Sequence, residues 1–257
     1  MRIYLSKKVT SEKFSIEANK ADNLFHFDHH GEFKDYPSPC NNHILDNILP
    51  EVEDECLITH LDADTFVGLL RLSDLPLPPV DLNLMEYIDN NGSKNIEKTN
   101  KVLAYMVGII SYAREFGFPF CPAKGRVEVT NVIRDLAEIH PNSIILRGYA
   151  DIEKSEAGYR EAEVKVVNGI GLYNKGVDTA FNPSRPYEDD VQIVVVYNQK
   201  FKSISLYADP DTDHVVKGKW KNIVFAGHDK ACGSPRGTKF TFPDAEAVFE
   251  DIVDELG

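Results

Sequence analysis

The chain has 257 residues, 42% of them hydrophobic, and a net charge of −13. That length accommodates one large domain or a domain plus a smaller one, with enough apolar side chains for a real core. Its acidity argues against a grip on long duplex nucleic acid, which takes a basic face to neutralise phosphates.

The opening Met1-Arg2-Ile3-Tyr4-Leu5-Ser6-Lys7-Lys8 lacks the apolar run of a signal peptide, and no stretch approaches membrane-spanning length. Cys40, Cys56, Cys121 and Cys232 form no CxxC pair, which argues against a zinc ribbon and favours a reducing cytoplasm. In chain order, Ile3-Tyr4-Leu5 and Leu24 to Phe27 read as short strands, with a short polar helix between them over Ser11 to Lys20. Gly31 to Pro39 is loop. Asn41 or Asn42 caps a short helix through Ile44, Leu45, Ile48 and Leu49, which Pro50 ends. Cys56 to Thr59 is the next strand, followed by a helix capped at Asp64 or Thr65. Leu75 to Pro79 cannot be regular, and Leu82 to Ile88 fits helix or strand before an Asp89-Asn90-Asn91-Gly92 turn.

The clearest helix runs from Asn95 to Phe116, with Val102, Leu103, Met106, Ile109, Ile110 and Ala113 at threes and fours. Gly117 to Gly125 breaks it. Glu128 to Ile139 and Ile152 to Val167 read as helices around a strand at Ser143 to Leu146. Asn182 to Pro186 reads as a linker, Val191 to Tyr197 and Ser203 to Tyr207 as a hairpin, and Asn222 to Phe225 as a strand. Ala245 to Leu256 closes the chain as an amphipathic helix. The expected fold is α/β: a largely parallel sheet with helices over residues 1–180, then a smaller α+β domain over 181–257.

Two apolar runs break into the same chemistry. Leu24-Phe25-His26-Phe27 leads into Asp28-His29-His30, and Cys56-Leu57-Ile58-Thr59 leads into His60-Leu61-Asp62-Ala63-Asp64. Side chains at the carboxyl ends of neighbouring parallel strands converge on one crevice. Carboxylates brought together there repel and their pKa values rise, unless divalent cations compensate them. The reading is a metal site, with two ions. Carboxylate and imidazole donors without thiolate suit manganese, magnesium or iron better than structural zinc. Asp89 is the candidate for a further carboxylate, with Asp74 second; Asp64 also reads as a plain helix cap. His26 is set aside, and Cys40 and His43 read as core and helix-start residues. Lys217 to Lys239 is the one basic stretch, and the glycines Gly227, Gly233 and Gly237 within it expose backbone N–H groups of the kind that cradle anions.

Asp28-His29-His30 resembles the triplet of the DHH phosphoesterase superfamily. His60-Leu61-Asp62-Ala63-Asp64 looks like that family's HxDxD motif, and Ala226 to Gly233 is similar to the glycine–histidine loop of its C-terminal domain. The order is inverted, with the triplet leading, as in a circular permutation. The resemblance implies hydrolysis of a small phosphoester, nucleotide or short oligonucleotide by a hydroxide between two metals. It also implies a carboxylate shared by both ions, His29 as a ligand and His30 beside the scissile phosphate. Gly227, His228, Gly233 and Arg236 would hold the rest of the substrate, and Asp28, His60, Asp62, Asp64 and Asp89 complete the expected ligand set. A crevice between domains is a common place for such a site. The alternatives are a one-metal, deacetylase-like hydrolase and a non-catalytic nucleotide-binding protein of the same fold.

Overall fold

Alternating burial along Arg2–Leu5 makes the first strand, β1. It shares a sheet with β2 (Phe14–Ile16), β3 (His26–Phe27), β4 (Glu55–Ile58) and β5 (Val127–Glu128), in the order β3-β2-β4-β1-β5. Every pairing is parallel except that of β1 with β5, so this sheet is largely parallel, as expected. The computed structural model describes all residues except 7–11, 19, 23, 34, 120–124, 178–180, 228 and 236. The chain divides into two compact units, Met1–Asn90 with Ile96–Asp151, and Asn91–Asn95 with Ile152–Gly257.

β2 is the main correction in the first unit, because it replaces the expected helix around 11–20. Phe14, Ser15 and Ile16 are all buried, as fits a central strand covered on both faces. The strands ending at Asp28 and before His60 are therefore not adjacent, since β2 lies between them. α1 (Ala63–Leu72) follows β4, and its cap is Asp62, whose Oδ1 accepts the Thr65 N–H at 2.8 Å. The expected helix after Asn42 is only a 3-10 turn over Leu45–Asn47, with Asn42 Oδ1 accepting the Ile44 N–H.

α2 (Leu82–Asn91) resolves the ambiguous stretch as helix and carries Asp89 inside it rather than in a turn. α3 (Lys101–Glu115) starts later than its pattern suggests. Asn100 caps it by accepting the N–H groups of Val102 and Leu103. α4 (Thr130–Glu138) follows β5. The strand expected at 143–146 is instead part of α5 (Pro141–Glu161), which opens on a proline at a position that needs no donor. α5 crosses α3 closely. A Cβ on Gly108 would stand 2.0 Å from the Ile144 carbonyl oxygen, and one on Gly148 would stand 1.7 Å from that of Ala104.

The second unit holds a seven-stranded sheet, β10-β11-β12-β9-β8-β7-β6. Its strands are β6 (Glu163–Val167), β7 (Ile170–Lys175), β8 (Ile193–Asn198), β9 (Ser203–Ala208), β10 (Gly218–Trp220), β11 (Ile223–Gly227) and β12 (Ala231–Gly233). Only β7 and β8 pair in parallel; β8–β9 is the expected hairpin. The helix expected over 152–167 ends at Glu161, where Glu163 to Val167 turn into β6. Asn168 and Gly169, both at positive φ, fold β6 onto β7. That hairpin belongs to the second sheet, so the second unit begins ahead of the expected boundary at residue 181. α6 (Phe242–Leu256) packs Ala245, Val248, Phe249 and Ile252 onto Ile170, Leu172, Ile193 and Val195. A capping box starts it: the Thr241 N–H donates to Asp244 Oδ2 at 2.7 Å and the Asp244 N–H to Thr241 Oγ1 at 3.4 Å.

Among the described residues, no helix is long and apolar enough to cross a membrane. Cys40, Cys56 and Cys232 are free and buried.

Candidate metal centre

The register of the parallel strands sets the level of the site. Ile16 pairs with Phe27 and with Ile58, so Glu17, Asp28 and Thr59 leave their strands side by side. The ladder runs one step further, with the Glu17 N–H donating to the Phe27 carbonyl at 2.7 Å. At Glu17 the backbone turns into the left-handed region, φ 52°. A non-glycine residue there carries strain of about 1–3 kcal/mol, and such strain collects at functional sites. The Thr59 hydroxyl donates to the Glu17 carbonyl and holds the turn.

Glu17 is the residue the sequence reading missed. Its carboxylate is fully buried and lies between two histidines: Oε1 is 2.9 Å from His29 Nε2, and Oε2 is 2.8 Å from His60 Nε2. Thr65 Oγ1 donates to Oε2 at 2.9 Å. His29 Nε2 also lies 3.4 Å from Asp64 Oδ2 and 3.5 Å from Asp89 Oδ2. His60 Nε2 lies 2.9 Å from Asp62 Oδ2, the oxygen that does not cap α1. His30 Nδ1 stands 3.7 Å from Glu17 Oε1.

Two sets of potential ligand atoms result. Glu17, His29, His30 and Asp89 form one, and Glu17, His60 and Asp62 the other; within each set the atoms lie within 4.8 Å of one another. Glu17 belongs to both. Asp64 borders the first through His29. Its Oδ1 accepts from the Ser38 hydroxyl at 2.6 Å and from the Cys40 N–H at 2.7 Å, while its buried Oδ2 has, among the described residues, only the 3.4 Å contact with His29 Nε2. A buried carboxylate oxygen without a closer donor is costly, and a cation is the natural partner for it. The donors are all carboxylate and imidazole, so the residues fit hard or borderline divalent ions.

Asp28 is a member of neither set. It is buried, and its Oδ1 accepts the His30 N–H at 2.8 Å and lies 3.3 Å from His30 Nδ1. These contacts hold the His30 ring. Asp74, the second candidate for the further carboxylate, lies beyond the far end of α1, lining a pocket with Leu69, Leu70 and Arg134. Gly227, at φ 147°, ends β11, and a Cβ there would stand 2.6 Å from the Ala231 carbonyl oxygen. Gly233 lies in β12 opposite Ala226. His228 and Arg236 lie outside the described residues.

Protonation offsets part of the charge of the cluster. Burial opposes a charge on His29, but hydrogen bonds and charge from Asp64 and Glu17 outweigh it and raise its pKa to about 10. His60 behaves alike, with burial outweighed by Asp62 and Glu17 and the pKa raised to about 11. The hydrogen bond to Asp28 raises His30 against the effect of burial. Burial, then the charges of Asp62, Asp64 and Glu17, push the Asp89 carboxyl up to about 8. Burial also pushes on Asp64, yet its contacts with His29 hold it below the usual range.

No family model matches the chain, and no curated protein matches it. Among solved structures it is similar to an exopolyphosphatase-related protein from Bacteroides fragilis, at 12% identity and a TM-score of 0.34, over 94% of this chain and 82% of that one. A likeness at that level speaks to neither activity nor substrate.

Proposed function

We propose that the chain is a divalent-metal-dependent phosphoesterase acting on a small phosphoester, nucleotide or short oligonucleotide. The observation that carries this is the buried Glu17 carboxylate shared by two ligand sets, beside a buried Asp64 oxygen with no hydrogen-bond donor closer than His29 Nε2 at 3.4 Å among the described residues. Glu17, His29 and Asp89, with Asp64, would hold one ion; Glu17, His60 and Asp62 would hold the other. Manganese fits these donors, and magnesium or iron fits them too. Two such ions, when bound, activate water and neutralise the phosphoryl oxygens as charge develops on them.

The remaining roles fall to the chain itself. His30 and His60 are the more open members, their side chains 32% and 45% exposed, and would face an incoming substrate. His30, whose backbone N–H and ring both contact Asp28, would hydrogen-bond a phosphoryl oxygen. The resemblance of Asp28-His29-His30 and His60 to Asp64 to the DHH motifs points to the same chemistry. In the second unit, Gly227, His228, Gly233 and Arg236 are the residues proposed to grip the rest of the substrate. The test is hydrolysis of bis-p-nitrophenyl phosphate with manganese, with a chelator, and with manganese restored, alongside a count of bound metal. Two ions per chain and chelator-sensitive, manganese-restored turnover are expected. One ion per chain, or no phosphodiester cleaved under any condition, would sink the reading.

A further inference from the structure

Beside Glu17, two further carboxylates face His29 and come from different helices, Asp64 from the first turn of α1 and Asp89 from the last turns of α2. Ser38 to Asn41, ending in a 3-10 turn over Pro39–Asn41, touches both helices.

On the α1 side it grips three residues spaced i, i+4 and i+7, which share one helix face. The Ser38 hydroxyl and the Cys40 N–H both donate to Asp64 Oδ1. Gly68 lets the backbone of α1 come close, since a Cβ there would stand 2.7 Å from Pro39 Cβ. Arg71, its side chain 3% exposed, donates from Nε to the Cys40 carbonyl at 2.7 Å and from Nη1 to both Asp46 oxygens at 2.7 Å. On the α2 side the Ser38 N–H donates to Glu86 Oε1 at 3.2 Å, and Asn41 Nδ2 donates to Glu86 Oε2 at 2.5 Å and to the Leu82 carbonyl at 3.3 Å. Glu86 precedes Asp89 by one helical turn, on the same face.

We infer that the Ser38–Asn41 turn is a positioning bracket that spaces Asp64 and Asp89 around His29 and leaves only Oδ2 of Asp64 open to an ion. This rests on the metal reading given above. By taking both donors on Oδ1, the bracket fixes the carboxylate plane and confines Asp64 to contact through one oxygen. By holding Glu86 through both of its oxygens, it fixes the rotation of α2 that turns Asp89 inward. None of its members belongs to either set of potential ligand atoms.

The experiment measures manganese binding to the full chain by calorimetry, with thermal melting of the metal-free protein beside it, for wild type, Ser38→Ala, Glu86→Ala and the double variant. Losing such supporting contacts commonly costs about 10–100-fold in metal affinity. Each single variant is expected to weaken one of the two manganese sites by that factor and leave the other unchanged. The double variant should lose less than the product of the two, because both act through one element. Glu86→Gln, which keeps one acceptor oxygen, should recover part of the loss; it carries the same test if an alanine variant does not fold. A bracket that only holds the fold together would lower the melting temperature and leave both affinities alone, and that result would overturn the inference. Wild-type protein that binds no manganese would overturn both this inference and the metal reading, whereas two ions bound equally well by wild type and variants would overturn the bracket alone.

Discussion

Glu17→Gln removes the one charge common to both ligand sets while keeping the side chain's length. In the metal-free protein the carboxylate lies 2.9 Å from His29 Nε2 and 2.8 Å from His60 Nε2, and it repels Asp89. Its loss breaks a buried pair with His29, worth about 3–5 kcal/mol when one partner is removed. Part of that returns as Asp89 loses a like charge, so the net drop in stability is smaller. With metal the effect does not cancel, because each ion loses an anionic donor. A preorganised charge at a reacting centre is worth about 10²–10³ in rate. Counted once for each ion, that predicts a fall in kcat/KM of about 10,000-fold or more, roughly 5 kcal/mol. The assay is phosphodiester turnover together with manganese stoichiometry. Glu17→Gln should bind neither ion tightly, whereas Asp89→Asn and Asp62→Asn should each lose one. Two ions retained, or activity within tenfold of wild type, would refute Glu17 as the shared carboxylate.

Asp28→Asn should keep both ions yet lower turnover about 10-fold or more through a misplaced His30, and His30→Ala should do the same more severely; loss of metal from Asp28→Asn would make Asp28 a ligand after all. His29 and His60 carry raised pKa values of about 10 and 11, so the stability they lend the metal-free protein is present in full below pH 6.5 and is lost as pH rises through about 10. Asp89, raised to about 8, takes up a proton on folding between pH 4 and 8, which has the same sign. The metal-free melting temperature should therefore fall from pH 5 to 9, while the rise produced by manganese grows, because the ion competes with those protons; a manganese effect that shrinks with pH would contradict the charge balance. Arg236→Ala should raise KM, or lower kcat/KM, by about tenfold, near 1.4 kcal/mol, with metal content unchanged and only partial recovery in Arg236→Lys, which lacks the planar fork. An unchanged KM for every phosphoester tried would make Arg236 a surface residue.

How much of the fold was legible follows from how local each signal is. α6 and the β8–β9 hairpin carry their patterns within a dozen residues and were placed correctly, α6 only starting a little early. α5 was cut in two because Ile144 and Ile145 are apolar and adjacent, which mimics a strand. Leu146, 68% exposed, shows the helical turn of the chain instead, and Pro141 was the available start signal. β6 was read as the end of a helix although Asn168-Gly169, the strongest short hairpin signal, sits directly after it. β2 is three residues long, too short for any periodicity to declare itself.

The site divides along the same line. Asp28-His29-His30 and His60 to Asp64 are legible because the chemistry is packed into a few consecutive positions after an apolar run. Asp89 needed the added fact that α2 turns it inward. Glu17 had no such neighbourhood: it follows Phe14-Ser15-Ile16 in a stretch with Glu12, Lys13 and Lys20 around it, and reads as one more surface charge. Only the strand order explains its role. With β2 inserted between β3 and β4, a carboxylate comes to lie between the imidazole that follows β3 and the one that follows β4, and neither motif holds that carboxylate. Five carboxylates, Glu17, Asp28, Asp62, Asp64 and Asp89, around three imidazoles leave a deficit of positive charge even when every imidazole is protonated. The raised Asp89 and the unsatisfied Asp64 oxygen are where that deficit shows. Divalent ions would remove it while freeing the protons, so the acid–base state of the metal-free cluster and its affinity for metal are two readings of one charge balance.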